Sequence, residues 1–188
     1  FQKIRDWQWN EKLIPYWKKE AKFAQEHGVN QIAFELHPGF CVYNPSTLLR
    51  LREAVGPVIG ANLDPSHLFW QGIDIIAAIR ALKGAIYHFH AKDTAIDPYN
   101  TAVNGVLDTP SFDRIDERPW VFRTVGYGHG EDTWRAIFSE LRKAGYDGVI
   151  SIEHEDGLMS TREGLEKAIE VLKRTIIFES REGDMYWA

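Results

Sequence analysis

The feature that most constrains the fold is a plan repeated four times along the chain: a helix-like stretch, a glycine, a short apolar strand and a polar residue. In the first unit, apolar residues at helical spacing run from about residue 11 to residue 27, Gly28 breaks the pattern, and an apolar segment ends at Glu35. The other units break at Gly56, Gly84 and Gly145 and reach Asp64, His90 and Glu153. Such alternation is typical of parallel βαβ units, because parallel strands need a helical crossover.

Local signals support these units and mark one irregular stretch. Asn44 followed by Pro45 is a helix cap with proline at the first helical position. A last helix is predicted over residues 161–178. Residues 94–130 are rich in Asp, Pro, Asn and Gly, and we expect a long loop there that is functional or mobile and could cover a site as a lid. No low-complexity linker divides the chain, so residues 1–188 are predicted to form a single domain.

Composition excludes several classes of protein. With 188 residues, 44% hydrophobic and 26% charged, the chain is neither disordered nor fibrous. The net charge of -5 provides no general attraction to nucleic acid or to anionic lipid, and no apolar run is long enough to cross a membrane. A single cysteine, Cys41, rules out an intramolecular disulfide and suits a cytoplasmic location. The chain opens on Phe1 without a signal segment, and we expect it to start inside a longer parent protein.

The four polar residues at the strand ends predict a metal site. Ligands of parallel α/β folds bind at the carboxyl ends of strands, where Glu35, Asp64, His90 and Glu153 would converge. Carboxylates held close together raise one another's pKa, and a divalent cation removes that conflict. Three oxygen donors and one nitrogen suit Mn²⁺, Mg²⁺ or Co²⁺ better than a thiolate-loving ion, with Zn²⁺ as a further alternative. For any one residue alone, an ordinary cap or salt bridge is the better interpretation, so the prediction rests on the set.

Further polar residues lie near these ends and are candidates for substrate binding. His37 and His67 could hydrogen-bond substrate hydroxyls, and Lys92 could hold a carbonyl or alkoxide oxygen. His37 could instead only fix the loop that follows it, and His88 is better explained as a supporting or core histidine. His154 faces away from Glu153 if the strand persists, which favours a structural role.

A glycine-rich segment over residues 126–130 precedes the fourth helix. Its match to a phosphate-binding loop is poor, because no Gly-Lys-Ser/Thr follows, and a flexible loop that starts a helix is the better interpretation. Arg123, just before it, is a weak candidate for an anion contact. Most of the tryptophans are expected in the core, and one near the mouth could line a carbohydrate pocket; they are Trp7, Trp9, Trp17, Trp70, Trp120, Trp134 and Trp187.

Taken in order, several motifs resemble those of the xylose-isomerase-like TIM barrels, the sugar phosphate isomerase/epimerase superfamily. The resemblance covers about residues 11–178 and rests on AFELHP at 33–38, NLDPSH at 62–67, HFHAKD at 88–93, GYGHGEDTW at 126–134 and GYDGVISIE at 145–153. It implies an α/β fold, a (β/α)8 TIM barrel of which this chain holds about the last four βα units.

The resemblance also implies an activity. In the keto-sugar 3-epimerases of this superfamily, a Glu, an Asp, a His and a second Glu bind one metal ion, usually Mn²⁺, and by motif these are Glu35, Asp64, His90 and Glu153. The two glutamates also act there as the acid/base pair, moving a proton through a metal-stabilised enediolate on a sugar or polyol. A histidine three residues after the Asp contacts substrate, which places His67 in that role.

The chain departs from this pattern, and the departures keep other functions open. Half of the barrel is absent, the segment after His90 is long, and Ile96 stands nearest to where the epimerases carry an arginine. The long insertion resembles the catalytic subunits of C-glycoside deglycosidases, so a lyase of that kind or of the inosose dehydratase kind is the alternative. A relative of the abasic-site endonucleases with three zinc ions, or a metal-binding module without catalysis, ranks lower. An open half-barrel exposes strand edges, so we expect a homo-oligomer or a partner subunit.

Overall fold

A parallel sheet forms the centre of the structure, a computed structural model that describes residues 1–179. Four strands lie in the order β1-β2-β3-β6, all parallel, and helices connect them. Within the described residues, β1 and β6 have one strand neighbour each, so both edges of this sheet are open. The sheet is an arc of parallel strands with crossover helices, as the repeated plan predicts.

The elements follow one another in the order that the sequence indicates, with additions in the first and third units. Helices are α1 Gln2–Trp7, a π-helix Gln8–Leu13, α2 Ile14–Glu26, α3 Pro45–Val55, α4 Pro65–Phe69, α5 Ile75–Ala81, α6 Pro98–Asn104, a 3-10 turn Ile115–Glu117, α7 Glu131–Lys143 and α8 Thr161–Thr175. Strands are β1 Ile32–Glu35, β2 Ile59–Leu63, β3 Ile86–Ala91, β4 Asp93–Ile96, β5 Trp120–Arg123 and β6 Ile150–Ile152.

Two predictions about these elements were wrong. The first helix does not start at residue 11 but continues a helical stretch that begins at Gln2, because the π-helix joins α1 to α2 without a break. Residues 94–130 are not one irregular loop: β4 and β5 pair antiparallel, and α6 lies between them. The hairpin escapes sequence inspection because its strands are only four residues long and 23 residues apart, Ile96 to Trp120.

Capping fixes the helix starts that position the site. Asn44 and Thr47 form a reciprocal capping box at α3, as the Asn-Pro signal predicts. Asp64 caps α4 by accepting a hydrogen bond from the Ser66 amide at 2.8 Å, so one carboxylate both ends β2 and starts the next helix.

The main core lies between the sheet and its helices, and a second, smaller cluster lies under the hairpin. Trp9 and Trp134 are buried in the main core, whereas Trp70, Trp120 and Phe122 form the second cluster. Trp7 is half exposed, and Trp187 lies outside the described residues. Across residues 1–179, no helix combines the length and the apolar character that crossing a bilayer requires.

Candidate metal centre

Four side chains from four neighbouring strand ends meet at one point. Glu35 is the last residue of β1, Asp64 follows β2, His90 lies near the end of β3 and Glu153 follows β6. One ligand atom of each lies within 4.8 Å of the corresponding atom of every other. The residues that the sequence places at the carboxyl edge therefore converge in the structure.

Strand register explains this convergence. Glu35 is paired with Asn62, Asn62 with His88, and His90 with Ser151, so the polar side chains stand at the same level of the sheet. Residues two apart on a strand share a face, so the side chains at the ends of the strands are aligned in the same way. The Glu153 amide donates to the carbonyl of Ala91 at 3.3 Å and continues the ladder by one residue.

Asp64 is the buried member of the group. Its Oδ1 is used by the cap of α4, whereas Oδ2 makes no hydrogen bond within residues 1–179 and lies 3.5 Å from His67 Nε2 and 3.7 Å from Lys92 Nζ. Burial raises the pKa of Asp64 above its ordinary value, against the attraction of His67 and Lys92. A buried carboxylate oxygen without a hydrogen bond is costly, and a cation would stabilise it.

Glu35 is held by a neighbouring histidine. His67 Nε2 donates to Glu35 Oε1 at 3.0 Å, and this hydrogen bond lowers the pKa of Glu35 although partial burial opposes the shift. The ring of His67 is buried in α4 and lies 4.2 Å from the ring of His37. His37 Nδ1 is hydrogen-bonded to the carbonyl of Pro38 at 2.6 Å, so His37 fixes its loop while it also lines the cavity beside Glu35.

Glu153 lies between His90 and Lys92. Its Oε2 is 2.8 Å from His90 Nδ1, and its Oε1 accepts from Lys92 Nζ at 2.9 Å. These two contacts lower the pKa of Glu153 to about 2, and the contact with His90 has the larger effect. The contact between Glu153 and His90 also raises the pKa of His90. Burial works to lower the pKa of Lys92, but Asp64, Glu155 and Glu153 outweigh it, and the pKa is raised. Lys92 therefore stays an ammonium ion.

The charges of the cluster fit a divalent cation. Three carboxylates, Asp64, Glu153 and Glu155, lie close to the ammonium of Lys92, and Glu35 is a further carboxylate of the cluster. One positive charge leaves most of this negative charge uncompensated. Three carboxylate oxygens and one imidazole nitrogen are the donors that Mn²⁺, Mg²⁺, Co²⁺ and Zn²⁺ accept. By donor set, by the free oxygen of Asp64 and by charge, these residues fit a divalent metal ion.

The site opens into a cavity of about 700 Å³. Its lining residues include Glu35, Glu153 and Lys92 and several residues of the segment 107–122. This segment lies between α6 and the end of β5, within the predicted loop 94–130. The segment therefore forms a wall of the site.

The family follows from comparison with known proteins. A family model described as "Xylose isomerase-like TIM barrel" matches residues 2–175. The chain belongs to that family. The assignment confirms the predicted superfamily and fold class, and the four parallel strands are a partial barrel.

Relatives of this xylose isomerase-like chain are longer than the chain itself. It is 47% identical over 173 residues to "Uncharacterized protein YfiH" of Bacillus subtilis (strain 168), a match that covers 92% of this chain and 55% of that protein. The chain thus spans about half the length of its relative.

Solved structures show the same fold. A xylose isomerase domain protein from Planctomyces limnophilus superposes with a TM-score of 0.62 at 23% identity, covering 88% of this chain and 52% of that one. The probable 3-DHS dehydratase AsbF of Bacillus anthracis, involved in petrobactin synthesis, gives 0.61 at 20% identity, covering 85% and 55%.

Not every predicted site residue of the family chain reaches the cavity. His37, His67 and Lys92 line it, but Arg123 is not among its described lining residues. Arg123 Nε donates instead to Asp156 Oδ2 at 3.0 Å, and the same buried oxygen accepts from the Thr124 amide at 2.8 Å. Arg123 thus joins β5 to the segment after β6.

Two other histidines have structural contacts. His88 Nε2 is hydrogen-bonded to Ser151 Oγ at 2.9 Å, and its ring packs edge-on against His90. His154 lies against Gly164 of α8, so closely that a Cβ at Gly164 would overlap the ring. Both contacts agree with the supporting roles predicted for these residues.

The glycine-rich segment is organised by a residue that sequence reasoning missed. Buried Asp93 accepts hydrogen bonds from the amides of Gly126, Gly128 and His129 at 3.0, 3.1 and 2.9 Å. The predicted helix start is confirmed at Glu131, and these hydrogen bonds hold the loop before it. These amides are already bonded to a carboxylate, so they are not free to bind a phosphate group.

Several cavity residues also lacked a recognised signal. Glu155 lies two residues after Glu153, and strand periodicity could have placed it on the same face. Arg118, Trp120 and Phe122 belong to the wall segment, and no local pattern points from there to the sheet.

Proposed function

We propose that this chain carries the metal-binding part of the active site of a divalent-metal-dependent sugar or polyol isomerase or epimerase. The observation that supports it is the convergence of Glu35, Asp64, His90 and Glu153 at the carboxyl edge of the sheet, open to a cavity of about 700 Å³. These four residues would hold the ion, with Mn²⁺ as the preferred metal. The bound metal supplies Lewis-acid polarisation of a substrate carbonyl.

The residues of the chain would move the proton. Glu35 ends β1 and Glu153 follows β6, the two edge strands of the sheet, so the two carboxylates would approach a bound substrate from different sides and could each exchange a proton with carbon. His67 orients Glu35, and Lys92 orients Glu153. One glutamate would remove the proton and the other return it, either to the opposite face or to the neighbouring carbon.

A second candidate is a lyase that acts on an oxidised sugar, as C-glycoside deglycosidases or inosose dehydratases do. Lys92 favours it, because a buried ammonium 2.9 Å from Glu153 places a positive charge beside a base in the same cavity, where it would stabilise negative charge on a leaving-group oxygen. Reaction in D2O separates the candidates. An isomerase exchanges deuterium into substrate carbon and keeps all other atoms, whereas a lyase releases a leaving group.

Metal content is the first test. Elemental analysis of the full-length protein should find about one divalent ion per chain in wild type and none in Asp64→Ala. Asp74→Ala is the matched control, since Asp74 also caps a helix, accepting from the Ala77 amide at 2.8 Å, but is remote from the cluster residues in the sheet. Equal metal in Asp64→Ala, or none in folded wild type supplied with Mn²⁺, would contradict the proposal.

The two glutamates are tested once a substrate is found. Glu35→Gln and Glu153→Gln should each lower kcat by at least about a hundredfold, the lower range for loss of a general acid or base. Near-normal turnover in either variant would contradict the two-carboxylate mechanism.

A further inference from the structure

Arg118 is a buried cation in the wall that faces the candidate metal centre. It lies between the 3-10 turn Ile115–Glu117 and β5, and only 2% of it is exposed. It lines the same cavity as Glu35 and Glu153. The roles proposed above for the metal ligands and the acid/base pair leave it unexplained.

Its guanidinium group is fixed in place from several sides. Nε donates to the carbonyl of Trp120 at 3.1 Å, and Nη1 donates to the carbonyl of Pro110. The Cζ atom of Arg118 lies 3.7 Å from the ring centroid of Phe112 and 4.8 Å from the ring centroid of Trp120. Trp120 in turn stacks on Trp70 at 4.6 Å. Arg118 is therefore held rigidly, with two of its nitrogens bonded to neutral carbonyl oxygens.

Within residues 1–179, the charge of Asp108 favours the Arg118 guanidinium, but only from beyond ion-pair distance. Arg118 forms no ion pair there, and its Nη2 makes no hydrogen bond to described residues. Arg123, another largely buried arginine, differs in that it is paired with Asp156. Burying a guanidinium without an anion is costly, so an anionic partner from outside the described chain would stabilise it.

We propose that Arg118 binds an anionic group of the substrate, a carboxylate or a phosphate, while the reacting carbon lies at the metal centre. This inference rests on the proposed function for the position of the reacting carbon. The planar fork of a guanidinium matches two oxygens of either anion. In Arg118, Nη2 and the second hydrogen of Nη1 would donate to these two oxygens.

The charges that line the cavity would then orient the substrate. Glu35, Glu153 and Glu155 repel an anion, whereas Arg118 in the segment 107–122 attracts it. An anionic substrate enters in one direction only. Arg118 is thus a specificity-determining residue rather than a catalytic one.

The test compares binding of matched neutral and anionic sugars. Calorimetric titration of the full-length protein, metal-free and then loaded with Mn²⁺, would use D-glucuronate against D-glucose and D-fructose 6-phosphate against D-fructose. Wild type should bind the anionic member of at least one pair about 10- to 100-fold more tightly, the range for a hydrogen bond to a charged group. Preference in the first pair identifies a carboxylate, and preference in the second a phosphate.

Variants assign the preference to Arg118. Arg118→Met should abolish it, and Arg118→Lys should restore part of it, since lysine keeps the charge but not the fork. Arg162→Met is the control, because Arg162 is 88% exposed on α8, and it should behave as wild type.

Two results would overturn the inference. One is equal or undetectable binding of both members of each pair by wild type, a comparison that needs no variant and so stands even if Arg118→Met fails to fold. The other is an unchanged preference in folded Arg118→Met. Metal content separates this inference from the proposed function. If wild type prefers the anionic sugar but binds no metal when Mn²⁺ is supplied, only the proposed function is refuted. If wild type binds metal but shows no preference for the anionic sugar, only the role of Arg118 is refuted.

Discussion

Replacing Asp93 by asparagine tests whether one buried carboxylate organises the segment that leads into α7. Asp93 is fully buried, and its two oxygens accept six hydrogen bonds. The donors are the amides of Thr94, Gly126, Gly128 and His129, the Nδ1 of His129 and the Nε1 of Trp134. The amide group of asparagine matches Asp93 in shape but keeps only one of the two oxygens.

The size of the effect follows from these contacts. If the remaining oxygen keeps the Gly126 side of the network, the new NH2 group faces the Thr94 amide, which donated to Oδ1 at 2.8 Å. Leaving a buried donor unsatisfied costs about 1–3 kcal/mol, and the other donors lose the extra strength of a bond to a charged acceptor. We therefore expect Asp93→Asn to lower the free energy of unfolding by about 2–4 kcal/mol.

Urea unfolding measures this loss, and amide hydrogen exchange localises it. Exchange should accelerate at Gly126, Gly128 and His129 before it does elsewhere. Asp97→Asn is the control: Asp97 caps α6, and asparagine is as good a cap as aspartate, so its effect should stay within about 0.5 kcal/mol. If Asp93→Asn is no more destabilised than Asp97→Asn, the carboxylate does not hold this segment and our reasoning is refuted.

Two further predictions concern neighbouring packing and charge. Gly128→Ala should lower the free energy of unfolding by about 1–3 kcal/mol, because the new Cβ would overlap the carbonyl of Thr94. Gly130→Ala, where the structure has open space for a Cβ, should change the free energy of unfolding far less. Similar urea midpoints for the two variants would contradict this prediction. The hydrogen bond with Arg80 helps to lower the pKa of Glu140 from 4.5 to about 2. Ionised Glu140 should therefore stabilise the fold above pH 4.5 and lose this effect as the pH falls to about 2. Acid unfolding should therefore show Glu140→Gln less stable than wild type at pH 7, with the difference shrinking across that window; a constant difference would contradict the assignment.

The sequence predicts the ligand cluster because each of its members follows a local rule. A glycine ends a helix, an apolar segment forms a strand, and the next polar residue stands at the carboxyl edge of the sheet. Glu35, Asp64, His90 and Glu153 obey this rule in four separate units, and parallel pairing brings the four ends together. No contact between distant segments has to be guessed beyond the order of the strands.

The wall of the cavity could not be predicted in this way. Its contacts join residues that no periodicity connects, such as the stacking of Trp70 on Trp120 and the bond from Trp120 Nε1 to the carbonyl of Val106 at 2.9 Å. Asp93 was missed for a related reason. It directly follows Lys92, which faces the cavity, and strand alternation turns it to the other side, where all of its partners except Thr94 lie 33 or more residues further along the chain.

This division separates two properties of the site. The metal ligands depend on the sheet, whose register fixes them, whereas the substrate contacts on the wall depend on an insertion held by aromatic stacking and by hydrogen bonds from α6. Thr101 of α6 donates to the carbonyl of Pro119 at 3.0 Å, and Asn100 donates to that of Arg118 at 3.1 Å. The insertion can therefore change in sequence without moving the ligands. On the proposed function, residues 107–122 would set the preferred substrate and the strand ends the chemistry, so that related chains with the same four ligands and a different wall would act on different sugars.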